Sequence, residues 1–153
     1  MHLEGQTEIA APRQRVWESL TDPHFVAGCV PAQAAIEFVD ERNFRVTAEV
    51  GNGFMRTTIT VEIEITDLSE PARASATATA AVMASPLVAT GSLNLDELEP
   101  ELTHVGWFAE VTLGGMLVGF GGMVQAPLEK GIGSTLDCLK ARIEAEAADA
   151  TRA

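Results

Sequence analysis

The fold is decided by residues 114–147, GGMLVGFGGMVQAPLEKGIGSTLDCLKARIEAEA. From residue 117 onward, apolar side chains recur at every third or fourth position and share one face of a helix: Leu117, Phe120, Val124, Leu128, Ile132, Leu136, Leu139 and Ile143. Charged residues such as Lys130 and Glu146 fall away from this stripe, as in a helix that lies on an apolar surface. The stretch therefore predicts one long amphipathic helix near the end of the chain.

Most of the chain before this helix alternates with period two. The clearest case is residues 58–65, where isoleucine and valine alternate with threonine and glutamate, as in a half-buried strand. Two short helices are predicted ahead of these strands, one after Pro12 and one after Pro23, and a strand over residues 3–9 precedes them. The order predicts an α+β fold, in which an antiparallel sheet of about six or seven strands curves around the long C-terminal helix.

Length and charge limit what the chain can be. A chain of 153 residues suits one domain, which we place at residues 1–148, with 149–153 as a frayed tail. The net charge is −12 and only ten residues are lysine or arginine, so the chain lacks the basic face that binding to nucleic acid requires.

Few features indicate a special location or a metal site. Two cysteines, Cys29 and Cys138, do not make a disulfide framework, and no cluster has the spacing of metal ligands. The first five residues lack the pattern of a signal peptide, so a cytoplasmic protein is expected. The uncharged run from Val111 to Leu128 holds five glycines, a glutamine and a proline, and we interpret it as a strand end followed by a helix start rather than a membrane span.

The predicted inner face of the sheet carries unusually small side chains, among them Ala74, Ala76 and Gly91. Either the helix packs very close to them, or space for a ligand is left between helix and sheet. Larger inward candidates are mostly aromatic or aliphatic, which favours a hydrophobic guest. Each of them could equally be an ordinary core residue. We predict the following set as ligand-binding: Leu20, Phe25, Phe38, Phe44, Met55, Ile59, Ala78, Trp107, Phe120, Met123 and Val124.

A catalytic interpretation finds little support. His24 and His104 are predicted to be exposed or capping residues, and Asp22 a helix cap. Cys29 has no evident base beside it, and the chain has no tyrosine. We predict no catalytic residue, no metal and no covalently bound cofactor.

The order of elements resembles the START-type and birch-pollen-allergen-type (SRPBCC) superfamily, whose helix-grip fold holds hydrophobic ligands between a sheet and its C-terminal helix. More narrowly, the chain is similar to the CoxG family, named for the G-subunit of carbon monoxide dehydrogenase. The resemblance rests on these segments: Leu3-Glu4-Gly5, Ile9-Ala10-Ala11-Pro12, Val16-Trp17, Leu20-Thr21-Asp22-Pro23, Cys29-Val30-Pro31, Gly91-Ser92-Leu93-Asn94-Leu95 and Gly114-Gly115.

The resemblance implies a non-catalytic accessory protein. It implies a quinone-like or lipid-like ligand, a molybdenum hydroxylase as partner, and a place at the inner face of the cytoplasmic membrane. Many members carry a C-terminal extension that reaches the membrane, whereas this sequence stops at Ala153 with an acidic tail, which weakens the expectation of membrane contact. Two alternatives stay open: a cyclase or hydratase that uses the same cavity, and a protein-interaction module without a cavity. The sequence leaves the oligomeric state open.

Overall fold

A computed structural model describes residues 1–30, 34–50, 57–82 and 84–152. The elements follow in this order: β1 (His2–Ile9), α1 (Arg13–Leu20), α2 (Pro23–Ala27), β2 (Ala34–Phe38), β3 (Asn43–Val50), β4 (Thr57–Ser69), β5 (Arg73–Val82), β6 (Ser85–Glu99), β7 (Leu102–Leu113), a 3₁₀ helix (Gly115–Phe120) and α3 (Gly121–Arg152). The predicted α+β order is confirmed. Met55, one of the predicted ligand-binding residues, lies outside the described residues.

The seven strands form one antiparallel sheet in the order β1-β7-β6-β5-β4-β3-β2. Each of β2 to β7 pairs with its sequence neighbour, and β1 joins the far side of β7. The register between β4 and β5 shifts between Ile65 and Asp67, and such a bulge bends a strand and increases its twist. The two edges of the sheet therefore belong to β1 and β2, with the short helices linking one edge to the other.

The solid core lies at one end of the molecule. Ile143 of α3, Val16 of α1 and Val105 of β7 are fully buried there, and Leu95 of β6 is nearly so. Trp17 and Leu139 pack into the same cluster. The buried Thr103 Oγ1 donates a hydrogen bond of 2.8 Å to the carbonyl of Ala11, which ties the chain ahead of α1 to the sheet. The C-terminal half of α3 is thus clamped between α1 and strands β1, β6 and β7.

The long helix begins in two stages. Residues Gly115–Phe120 form a 3₁₀ helix before the α-helix starts at Gly121. Gly115 has a φ of +55°, a conformation that suits glycine because it has no Cβ. A Cβ on Gly114 would lie 2.6 Å from Cγ of Pro86, so the chain leaves β7 through a tight passage. The uncharged run 111–128 is therefore a strand end and a helix start, as the sequence predicts.

The cysteines form a bond that was not predicted from the sequence. Cys29, which follows α2, is joined by a disulfide to Cys138 of α3, 109 residues later. Sequence spacing could not reveal this pair, because the two residues meet only when α3 packs beside α2. Within the described ranges, none of the helices combines the length and hydropathy needed to cross a bilayer.

One histidine at the β1 edge lies between two carboxylates. In its protonated form His2 donates from Nε2 to Glu4, 3.1 Å away, and from Nδ1 to Glu110, and these hydrogen bonds raise the pKa of His2 above its usual 6.5. Because the pKa of His2 is raised in the folded state, the interaction of the protonated ring with the two carboxylates stabilises the fold. This contribution is fully present below pH 6.5 and is lost as the pH rises through the folded-state pKa of His2.

We therefore expect His2→Gln to reduce the free energy of unfolding by more at a pH below 6.5 than at a pH of about 8. Chemical denaturation of both proteins at the two pH values measures the difference. A loss of the same size at both values would contradict the assignment.

Candidate functional site

A cavity of about 490 Å³ lies between the short helices and the concave face of the sheet. The helical wall, including the segment after α2, consists of Leu20, Thr21, Pro23, Val26, Ala27 and Val30. The sheet wall consists of Ile36, Phe44, Val46, Ala48, Val61, Ile63, Ile65, Leu68, Ala74, Ser75, Ala76 and Leu93. This volume falls within the range of small-molecule sites in proteins.

A second hollow of about 430 Å³ continues from this cavity along α3. Its α3 wall is Leu128, Gly131, Ile132, Thr135, Leu136 and Leu139. The two spaces share Leu20, Val26, Val30 and Leu93, so they adjoin one another. The space left between the helix and sheet layers therefore has two compartments, one under α2 and one beside α3.

Small residues leave this space open. Ala74 and Ala76 of β5, paired with Leu93 and Gly91 of β6, form part of the cavity wall. A Cβ added at Gly131 or Gly133 of α3 would meet nothing within 4 Å beyond the helix itself. These two glycines therefore do not mark a close approach of α3 to the sheet. The small side chains on the inner face of the sheet therefore leave empty space at the cavity, which is the second of the two explanations considered from the sequence.

The polar side chains in the cavity walls already have partners. Thr21 Oγ1 donates to the carbonyl of Trp17 at 2.6 Å, and the Ser75 hydroxyl is 2.8 Å from that of Ser92. Thr135, in the wall of the second hollow, donates to the carbonyl of Gly131 at 2.8 Å. The described lining residues of both compartments include no acid, base or cysteine. The walls therefore offer a guest apolar contact and little else.

The sequence-predicted residues are only partly brought together. Leu20 and Phe44 line the cavity. Ile59 and Ala78 belong to the same face of the sheet, since they pair with the lining residues Ala48 and Ile63, but they lie outside the cavity wall.

Three of the predicted aromatic residues lie elsewhere. Phe25 packs against the core, and its ring carries the guanidinium of Arg142 at 4.1 Å. Trp107 lies on the inner face opposite Gly5 and Leu93. Phe38, at the last position of the edge strand β2, is 53% exposed, with its ring 5.3 Å from His24 and 6.0 Å from Phe44. Phe38 shares the inner face of the sheet with its pairing partner Phe44, but it lies outside the cavity wall and is exposed because the edge strand ends there.

Three of the predicted ligand-binding residues lie near the start of α3. Met123 is 73% exposed rather than inward. Met123 lies within α3 itself, and at about 3.6 residues per turn it falls on the face opposite Leu128 and Ile132, so the period of this helix directs it to solvent. Phe120 lies at the end of the 3₁₀ helix and Val124 in α3, and their side chains are outside the described part of the structure.

The lining residues that sequence reasoning missed are mainly those of β4, β5 and β6. Val61, Ile63 and Ile65 have the same parity as Ile59, so the alternation identified their face but not which of them borders the space. Leu93 of β6 pairs directly with Ala74 of β5, so the two side chains lie on the same face of the sheet. Val26 of α2 and Val30, which follows α2, carried no signal in the sequence that they border the cavity.

The candidate catalytic residues lie outside the cavity wall. Asp22 caps α2, accepting a hydrogen bond from the His24 backbone N–H at 3.0 Å, as predicted. His24 is exposed. The Nε2 atom of His104 is 2.9 Å from Oε1 of Gln6, and its Nδ1 atom is 3.8 Å from Oδ2 of Asp96. Cys29 is held in the disulfide, so it is not a free thiol nucleophile. Among the described residues, no group of histidines, cysteines and carboxylates has the arrangement of a metal site.

The packing of Trp107 on Gly5 can be tested. A Cβ on Gly5 would lie 2.8 Å from Cε2, Cζ2 and Nε1 of the indole, which is shorter than a real contact. We expect Gly5→Ala to displace the ring and to lower the free energy of unfolding by about 1–3 kcal/mol. Gly106→Ala is the matched control, since its Cβ would approach only His104, at 3.7 Å. Denaturant unfolding compares the two, and equal losses would refute the contact.

Comparisons with solved structures show the same fold over nearly the whole chain. A conserved protein from Geobacillus kaustophilus has a TM-score of 0.82 at 19% identity, with 94% of this chain and 95% of that chain covered. The Zhui aromatase/cyclase from a Streptomyces species has a TM-score of 0.72 at 18% identity, covering 94% and 93%. A protein from Chromobacterium violaceum has a TM-score of 0.75 at 15% identity, covering 94% and 96%.

The sequence comparisons are more specific. No curated protein sequence matches the chain. The sequence pattern of the CoxG family, described as the G-subunit of carbon monoxide dehydrogenase, matches residues 5–144, which include every described residue that lines the two compartments. The chain belongs to the carbon monoxide dehydrogenase G-subunit (CoxG) family.

Proposed function

We propose that this protein binds a hydrophobic small molecule, quinone-like or lipid-like, in the cavity between α2 and the sheet, and releases it chemically unchanged. The observation that carries the proposal is the composition of the cavity walls. Apolar side chains provide nearly the whole lining, and the hydroxyls of Thr21 and Ser75 are already hydrogen-bonded. A guest would gain roughly 25 cal/mol for each Å² of apolar surface that it removes from water.

Family membership supports a role beside a redox enzyme. The family name refers to carbon monoxide dehydrogenase, so we propose that the protein serves as accessory to a molybdenum hydroxylase of that type, in the cytoplasm or at the inner face of the membrane. A protein that carries a quinone-like molecule would connect such an enzyme with an electron acceptor. Co-purification of the tagged protein with the hydroxylase tests this part separately from ligand binding.

The main test is direct. Protein purified without detergent is examined by native mass spectrometry, and an uncharged naphthylamine probe is titrated by fluorescence. We expect a bound apolar molecule, or saturable binding of the probe with displacement by a quinone or a fatty acid. Displacement by one of the two alone identifies the ligand class. A protein that carries no guest and binds neither the probe nor either competitor would refute the proposal.

A cyclase-type enzyme is the second candidate, because the fold is similar to that of the Zhui aromatase/cyclase. Such chemistry needs a group that accepts or donates a proton within reach of the guest. Asp22, His24 and His104 are the obvious groups, and all three lie outside the cavity wall. Conversion of a bound polyketide-like substrate would favour this candidate, and loss of that conversion in His24→Gln would establish it. The alternative of an interaction module without a cavity does not fit the structure.

A further inference from the structure

The lid over the cavity is a short and weakly buried element. α2 has five residues, none of which is buried, yet Pro23, Val26 and Ala27 form part of the cavity wall. Elements with few buried contacts open with a small free energy, independently of the rest of the protein. Phe25 and Val26 hold α2 against the core cluster, and further contacts at its C-terminal end hold it to α3.

Two contacts fix the C-terminal end of α2 to α3. The first is the disulfide between Cys29 and Cys138. The second is Arg142, whose Nη1 donates to the carbonyl of Phe25 at 3.2 Å while its guanidinium lies over the Phe25 ring. A reductant can break the disulfide, whereas the contact between Arg142 and Phe25 does not depend on redox state.

The disulfide lies where the two compartments adjoin. Val30, next to Cys29, lines both of them, and Leu139, next to Cys138, lines the compartment along α3. A movement of α2 away from α3 would therefore open the wall between the cavity and solvent. The disulfide lies outside the described cavity wall itself, so a bound guest need not touch it.

From these contacts we propose that the Cys29–Cys138 disulfide is a redox-controlled latch, which holds α2 closed over the cavity when oxidised and lets it open when reduced. The reductant is a dithiol. One dithiol sulfur attacks Cys138, the less buried of the two cysteines, and Cys29 leaves as the thiolate and takes up a proton. The second dithiol sulfur then attacks the first dithiol sulfur and forms a disulfide with it, which breaks the bond to Cys138, and Cys138 leaves as a thiolate that takes up a proton. Two electrons and two protons pass to the cysteines, and the dithiol becomes a disulfide.

Arg142 assists the direction of this exchange. Its Nη1 lies 3.8 Å from Cys29 Sγ, so a positive charge faces the sulfur that must carry negative charge as it leaves. If the protein is cytoplasmic, as proposed above, a disulfide there belongs to the transient and redox-sensing kind rather than to the permanent structural kind. The effect of the latch on ligand exchange rests on the proposed binding function, whereas its effect on α2 does not.

The experiment uses the whole protein in its oxidised and dithiothreitol-reduced forms, with thiol titration to confirm the state. Hydrogen exchange measured by mass spectrometry follows a peptide containing α2 and control peptides from β6 and β7. On reduction we expect exchange in α2 to become about tenfold faster, the factor expected from the loss of one favourable contact, with the control peptides unchanged. The naphthylamine probe should dissociate faster from the reduced form by a similar factor.

The double variant Cys29→Ala/Cys138→Ala is the matched control, because it should behave as the reduced protein whether or not dithiol is present. Four results would overturn the latch: a native disulfide that the dithiol cannot reduce, unchanged exchange in α2, faster exchange in α2 and the controls together, or equal probe dissociation from both forms. Faster exchange in α2 alone, in a protein that binds no probe in either state, would support the opening of α2 and refute the proposed binding function instead.

Discussion

Replacing Ala76 with phenylalanine should abolish most of the binding of a hydrophobic guest. Ala76 lines the cavity from the middle of β5, and its neighbours across the sheet include Gly91, so the new ring must enter the hollow. If it displaces about 100 Å² of ligand surface, at roughly 25 cal/mol per Å² the affinity falls by ~2.5 kcal/mol, or roughly 70-fold. Probe titration by fluorescence gives the two dissociation constants.

The control for Ala76→Phe is Thr79→Phe on the opposite face of the same strand, where the residue is exposed. This variant adds a ring of the same size without touching the cavity, so its affinity for the probe should equal that of the unaltered protein. Denaturant unfolding of all three proteins separates loss of binding from loss of structure. Unchanged affinity in a folded Ala76→Phe protein would mean that the guest binds elsewhere.

Replacing Ile143 with alanine should cause a large loss of stability. The side chain is fully buried in the core cluster, where α3 meets α1 and the sheet. Truncation of such a residue removes its transfer free energy and leaves a void, at a cost of about 2–5 kcal/mol. Equilibrium unfolding in urea measures the loss, with Glu146→Ala on the exposed face of α3 as the control.

Leu128→Ala makes the comparison sharper. Leu128 belongs to the same apolar stripe as Ile143, but it lines the hollow beside α3 instead of filling the core. Its truncation enlarges a space that already exists, so we expect a clearly smaller loss of stability than at Ile143. Equal losses at the two positions would show that the stripe is packed uniformly along its length, which contradicts a hollow at one end.

The stripe on α3 shows how far the sequence could be interpreted. Its spacing predicts a helix and the face that it buries, because periodicity is set by local backbone geometry. It does not predict that Ile143 reaches a solid core while Leu128 borders a void. That difference depends on the distance between the helix and the sheet, which the volumes of side chains in both layers decide together.

The candidate site shows the same limit. Alternation placed Ile59 and Ile63 on one face of β4, and both are there, but only Ile63 borders the cavity. Phe38 and Met123 were predicted as ligand-binding residues and are exposed. Phe38 lies on the inner face but at the end of an edge strand, and this position depends on other elements, so no local pattern predicts its exposure. Met123 lies on the face of α3 opposite Leu128, so the period of the helix does predict its exposure.

By itself the sequence determined the element order, the α+β architecture, the inner face of each strand and the family, since these follow from local periodicity and from short segments such as Leu20-Thr21-Asp22-Pro23. Only the tertiary structure decided that the hollow lies under α2 as well as beside α3, and that Cys29 meets Cys138. The physical reason is that a cavity and a disulfide both depend on the packing of elements far apart in the chain, here 109 residues in the case of the disulfide.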